Sequence, residues 1–238
     1  MKYNIAVKLK NVTKSYVIHH EKPTFIENVI MRKNKENFLA IDNLSLIINQ
    51  GEKIGIIGHN GSGKTTLLKL MSHITVPTKG KVLTKGRLVS LIDLDAGFHP
   101  DLTGEENILL NGLILGLTKA EIMGNYNNII AFADIGKFID SPLYTYSSGM
   151  RLRLGFAVAI HANPDILVLD ENISVGDENF KRKIDVKMNE MMRDKKTIIL
   201  VSHYRQYLEK FCDRYLIMNH GKVVMDGGSE VLKQYFKC

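Results

Sequence analysis

An α/β chain built on a parallel sheet is what this sequence predicts, and three observations predict it. A short apolar run, Lys53–Ile57, opens onto a glycine-rich turn at 58–65 and then onto a helix-like stretch at 65–72. Two further runs, Ile166–Leu169 and Thr197–Val201, are continuously apolar, the pattern of strands covered by helices on both faces. Between these features, from 102 to 162, Leu109, Leu110, Leu113, Ile114 and Leu117 recur at helical spacing with few β-branched runs.

The remaining elements follow in order. Apolar and polar residues alternate through 3–9, and 38–48 is equally rich in strand formers before the Asn49-Gln50-Gly51 turn, which predicts antiparallel strands of a small β layer. The stretch 17–37 is polar, contains Pro23 and is long for a hairpin loop, so it reads as an insertion. Phe25, Ile26, Val29, Ile30 and Met31 have rough helical spacing beside Arg32, Lys33 and Lys35. That piece is either an amphipathic contact to a membrane partner, head groups or polymer, or a loop on its own β layer. Segments 215–218 and 222–225, separated by Asn219-His220-Gly221, form a final hairpin before a short helix-like tail. The expected organisation is one domain over 1–238: an antiparallel β part at 1–57, an α/β core at 58–101 and 163–238, and an inserted helical part at 102–162.

Composition bounds the chemistry. With 238 residues, 45% of them hydrophobic and 24% charged, the chain buries an ordinary globular core. The apolar stretch 108–117 is interrupted by Asn111 and falls well short of the roughly 18 to 20 residues that span a bilayer. No transmembrane segment or signal peptide is expected, and the cytoplasm is the default compartment. Two cysteines, Cys212 and Cys238, argue against a disulfide framework or a clustered metal site. The net charge of +7 is compatible with a basic solvated surface, an anionic membrane or nucleic acid.

Gly58, His59, Asn60, Gly61, Ser62, Gly63, Lys64 and Thr65 match the G-x-x-x-x-G-K-[ST] phosphate-binding loop, with Thr66 continuing into the helix. The glycines let backbone N–H groups turn inward around a phosphate, and the helix N-terminus adds its positive dipole. Lys64 is placed to reach the β- and γ-phosphates, and the Thr65 hydroxyl is a hard oxygen ligand for magnesium. The strand Ile166–Leu169 ends in Asp170-Glu171, at the carboxyl end of a sheet strand where ligands bind. Asp170 suits the metal, leaving Glu171 to polarise an attacking water as general base.

Tyr146-Ser147-Ser148-Gly149-Met150 lies some twenty residues before Asp170. It resembles the signature motif of the ABC ATPases, usually Leu-Ser-Gly-Gly-Gln. Ser174-Val175-Gly176-Asp177 is similar to the D-loop of that family, Ser202-His203 to its switch histidine, and Tyr16 to the aromatic that stacks on adenine. The resemblance implies a P-loop nucleotide-binding domain with a RecA-like core, and ATP and Mg2+ as cofactors. It implies Glu171, His203 and Lys64 as the catalytic group, and Ser147 and Gly149 as donors to the γ-phosphate of a second copy. In the family, the signature of one domain closes over the phosphate loop of another, so a dimer is implied.

The wording Tyr-Ser-Ser-Gly-Met followed by Arg151, Leu152, Arg153, Leu154, Gly155 and Phe156, together with Leu102-Thr103-Gly104 and Glu106-Asn107-Ile108, narrows the resemblance. It points to ATPase subunits that export bacterial O-antigen, capsule or teichoic-acid polymers through a separate polytopic permease. It implies a peripheral place on the cytoplasmic face of the plasma membrane and no nucleic-acid partner. Two readings stand beside it, an ABC ATPase for a different cargo and a soluble one acting on ribosomes or nucleic acid. The sequence departs from the family pattern where a glutamine is expected shortly before His99-Pro100. Asp93 and Asp95 are the polar candidates there, with Asp93 taken as the metal ligand.

Overall fold

The structure is a computed structural model that describes residues 4–18, 36–92, 97–170 and 177–237. Among these, two sheets organise the chain. One is antiparallel with strand order β2-β1-β4, formed by β1 (Ile5–Ile18), β2 (Glu36–Asn49) and β4 (Lys79–Thr84). The other has the order β5-β6-β7-β3-β8-β9, formed by β3 (Lys53–Ile57), β5 (Leu88–Ser90), β6 (Ile166–Leu169), β7 (Thr197–Val201), β8 (Arg214–Asn219) and β9 (Lys222–Gly227). All pairings in the second sheet are parallel except β8 with β9.

β1 and β2 are longer than sequence alternation suggests. Their ladder runs on through Tyr16↔Phe38 and Val17↔Asn37 to Ile18↔Glu36. Both ends of the expected insertion are therefore strand, because Val17 and Ile18 pair with Asn37 and Glu36 across its two ends. The amphipathic stretch 25–35 lies outside the described residues. Along the shared length, Val7, Leu9 and Val12 oppose Ile48, Leu46 and Leu44, and all six are buried.

The parallel strands divide two cores by their period of two. Ile54, Ile56, Ile166, Val168, Ile199, Val201, Leu216 and Met218 face the antiparallel sheet and helix α1 (Lys64–Met71). Ile57, Leu167, Leu169, Ile198, Leu200, Tyr215 and Ile217 face the opposite core. That second core is completed by α2 (Gly104–Ile114), α3 (Lys119–Ala133), α4 (Ser148–His161), α5 (Glu178–Arg193), α6 (Arg205–Phe211) and α7 (Ser229–Tyr235). Because both faces are covered, β6 and β7 are buried at every residue, which is why they read as unbroken apolar runs.

Local chemistry fixes where the helices begin. Thr103 with Glu106 and Thr118 with Glu121 form reciprocal capping boxes at the starts of α2 and α3. Ser147 caps α4 through its hydroxyl, and Asp177 caps α5 by accepting the Phe180 N–H at 2.8 Å. Cys212 is buried, and burial pushes its thiol pKa up, which suits an inert core thiol.

Candidate nucleotide site

Three parallel strands deliver the site. β3 lies between β7 and β8, and β6 lies next to β7. The carboxyl ends of β3, β6 and β7 lead into the loop 58–63, into Asp170 and into Ser202-His203. Sequence separations of more than a hundred residues collapse onto one edge of one sheet.

The loop is shaped by what surrounds it. Gly63 stands at φ 103°, and a Cβ there would sit 2.5 Å from the Ala40 carbonyl oxygen, so only glycine fits between the loop and β2. It is also the N-cap of α1 and gives no side-chain cap, which leaves the first N–H groups of that helix for an anion. Lys64 is only 8% exposed, and its ammonium donates to the Gly58 carbonyl at 2.7 Å and the His59 carbonyl at 3.0 Å. Those bonds hold a flexible side chain along the loop. Ser62 is buried, and its N–H donates to the His59 carbonyl at 3.1 Å, tightening the turn. The exposed His59 ring lies 6.3 Å from the Tyr235 ring of α7.

A cleft of about 190 Å³ opens on this loop, lined by Phe38, Ala40, Asn60, Gly61, Gly63, Lys64, Thr65, Thr66 and Asp170. Seven of the residues expected from sequence to contact phosphate or metal are thus brought together. The Thr65 hydroxyl and Asp170 carboxylate, both lining the cleft, are hard oxygen donors of the kind that fits magnesium. The loop N–H groups, the dipole of α1 and Lys64 fit a polyphosphate.

Other expected residues lie elsewhere. Tyr16 is not among the lining residues; its ring carries the Lys14 ammonium at 4.9 Å and stands opposite Phe38 in the β1/β2 ladder. Phe38, 46% exposed, and Ala40 line the cleft instead. Sequence reasoning passed over both, and their i, i+2 spacing on one strand face was the available signal. His203 is exposed just beyond β7. Ser147 is exposed and Gly149 half-buried at the start of α4, and neither lines the cleft of its own chain. Arg153, one turn further along α4, approaches Asp177 at 3.4 Å and so ties the signature helix to the start of α5. Glu171, Asp93 and Asp95 lie outside the described residues.

A phosphate loop between a central parallel strand and a helix, an aspartate ending another parallel strand of the same sheet and an inserted helical part carrying Ser147 define the nucleotide-binding domain of an ATP-binding cassette. The sequence profile described as "ABC transporter" matches residues 41–174, more than half of the chain. The chain belongs to the ABC transporter family.

Individual relatives agree with that placement. The O-antigen export system ATP-binding protein RfbB of Myxococcus xanthus is 46% identical over 241 residues, covering 97% of this chain and 55% of its own length. The teichoic acids export ATP-binding protein TagH of Bacillus anthracis is 43% identical over 241 residues, covering 98% of this chain and 44% of its own. This chain therefore spans about half the length of both. RfbB of Klebsiella pneumoniae is 37% identical over 238 residues, with 97% of each chain covered. Among solved structures, the ATP-binding cassette MJ0796 bound to ADP and Pi has a TM-score of 0.74 at 24% identity, covering 93% of this chain and 98% of its own.

Proposed function

We propose that this chain binds and hydrolyses ATP with magnesium and so powers the export of a lipid-linked polysaccharide or teichoic-acid polymer through a separate membrane subunit. The observation that carries the reading is the single cleft joining Lys64, Thr65 and Asp170 to the glycine loop. The relatives in Myxococcus, Bacillus and Klebsiella, export ATP-binding proteins for O-antigen or teichoic acids, favour polymer export over another cargo or a nucleic-acid partner.

In this reading the loop N–H groups and Lys64 hold the phosphates, and Thr65 and Asp170 hold the magnesium, with Asp93 or Asp95 as a further oxygen donor. Phe38, on the cleft wall, faces the base. Glu171 polarises the attacking water and His203 contacts the γ-phosphate. When bound, magnesium neutralises charge on the phosphates. Ser147 and Gly149, which do not line their own cleft, serve the nucleotide of a second copy, so the active form is a dimer with ATP between its subunits. For a peripheral subunit, the membrane partner docks on exposed apolar surface. Ile74 and Ile114, 54% and 61% exposed, flank a groove of about 260 Å³ that also takes in Leu91, Asn111 and Ala159. Among the described residues no helix is long and apolar enough to cross a membrane.

Phosphate release by the purified chain tests the proposal. Glu171→Gln should keep ATP binding and lose hydrolysis by on the order of 100-fold or more. Specific activity should also rise with protein concentration. A concentration-independent ATPase, or near-parental turnover in Glu171→Gln, would overturn the assignment. Export is read separately, by surface glycan staining in cells expressing the membrane subunit.

A further inference from the structure

Asn107 is fully buried, and its side chain lies within hydrogen-bonding distance of four backbone groups, three carbonyls sharing the two Nδ2 hydrogens. Its Oδ1 accepts the His99 N–H at 2.8 Å, and its Nδ2 reaches the carbonyls of His99 at 3.0 Å, Leu102 at 3.0 Å and Thr103 at 2.9 Å. One amide therefore closes the loop 99–103. A buried amide so fully satisfied fixes one geometry, because any other leaves polar groups unpaired.

The outer edge of that loop is bonded to the segment entering the signature. The Leu143 N–H donates to the Leu102 carbonyl at 2.9 Å, the same carbonyl that Asn107 holds. The Tyr144 N–H reaches Pro100 O at 2.9 Å, the Gly104 N–H reaches Ser141 O at 3.2 Å, and Thr103 and Pro142 form a bridge. Three residues beyond Leu143, Tyr146 is buried, and its hydroxyl donates to the Phe138 carbonyl at 2.5 Å. Ser147, the cap of α4, is next. Asn107 is thus linked to the segment that enters Ser147 through the shared Leu102 carbonyl.

We infer that Asn107 is a positioning residue for the cross-subunit half of the site. Through Leu102 and Leu143 it sets the angle at which Ser147 and Gly149 meet a second copy's nucleotide. It leaves the chain's own ATP cleft, lined from other elements, untouched. The inference rests on the proposed ATP-sandwich dimer.

The test uses the full chain in a Glu171→Gln background. Asn107→Asp keeps the shape and the Oδ1 acceptor but turns an oxygen toward three carbonyls. Gly104→Ala disturbs the same bracket from the other side, since a Cβ there meets the Tyr146 hydroxyl and lies 3.0 Å from the Ile139 carbonyl oxygen. Both variants should bind a fluorescent ATP analogue within about twofold of the parent, while ATP-driven dimerisation, read by analytical ultracentrifugation, weakens by about tenfold or more, the scale of one or two lost buried hydrogen bonds. With Glu171 intact, the protein concentration giving half-maximal activity should rise by the same factor, and activity should recover at high concentration. A role in stability alone would lower activity at every concentration. Parental dimerisation in Asn107→Asp overturns the inference. If that variant does not fold, parental dimerisation in Gly104→Ala overturns it. Absence of ATP-driven dimerisation in the parent would count against the dimer reading itself.

Discussion

Replacing Phe38 by alanine separates two assignments of the base-binding aromatic. Phe38 lines the cleft and leaves 46% of its surface exposed, whereas Tyr16 stands one strand away with its ring engaged by Lys14 at 4.9 Å. A base stacked on an aromatic ring contributes about 1–3 kcal/mol. Phe38→Ala should therefore raise the Kd for ATP by roughly 5- to 150-fold. Folding should change by less than about 0.5 kcal/mol, because the ring is largely outside the core. Tyr16→Ala loses an exposed cation–π contact within the protein that does not involve the nucleotide, so its effect on the Kd for ATP should be smaller than that of Phe38→Ala. Isothermal titration of both variants with ATP, with Phe38→Trp as the conservative control, gives the answer. Unchanged affinity in Phe38→Ala, or a larger loss in Tyr16→Ala, would refute the assignment to Phe38.

Two further outcomes follow from the fold. Arg214 pairs through two nitrogens with Asp226 at 2.7 and 2.8 Å and reaches Glu52 at 2.8 Å and the Ile47 carbonyl at 3.0 Å, tying the edge of the parallel sheet to β2. Lysine cannot make that fork, and after discounting for partial exposure Arg214→Lys should cost about 1–2 kcal/mol and lower Tm by about 3–6 °C in calorimetry. His161, with Nδ1 2.8 Å from the Ala157 carbonyl, has its pKa lowered from 6.5, chiefly by burial. The unfolded chain then binds more protons than the folded one below pH 6.5, so stability should be full above that value and fall as pH drops. In urea titrations at pH 7 and pH 5.5, His161→Gln should lose less stability between the two than the parent, and an equal loss would remove His161 as a contributor.

The glycine loop, the buried strands and the helical insertion were legible in the sequence because each is specified locally. The loop needs glycines followed by lysine and threonine in contiguous order, and a strand covered on both faces must be apolar at every position, as β6 and β7 are. The capping residues Thr103, Thr118, Ser147 and Asp177 are local in the same way, acting three residues from where they stand. What the sequence did not carry was register and adjacency. Phe38 reaches the cleft because β2 pairs with β1 so that Phe38 stands opposite Tyr16, and because Ala40 packs against Gly63. Asn107 gains its role from four partners set by the closing of a loop onto the segment at 141–144. A sequence lists donors and acceptors one at a time; which of them meet was decided by strand pairing and core packing, since a buried polar group is held only where the whole fold supplies its partners.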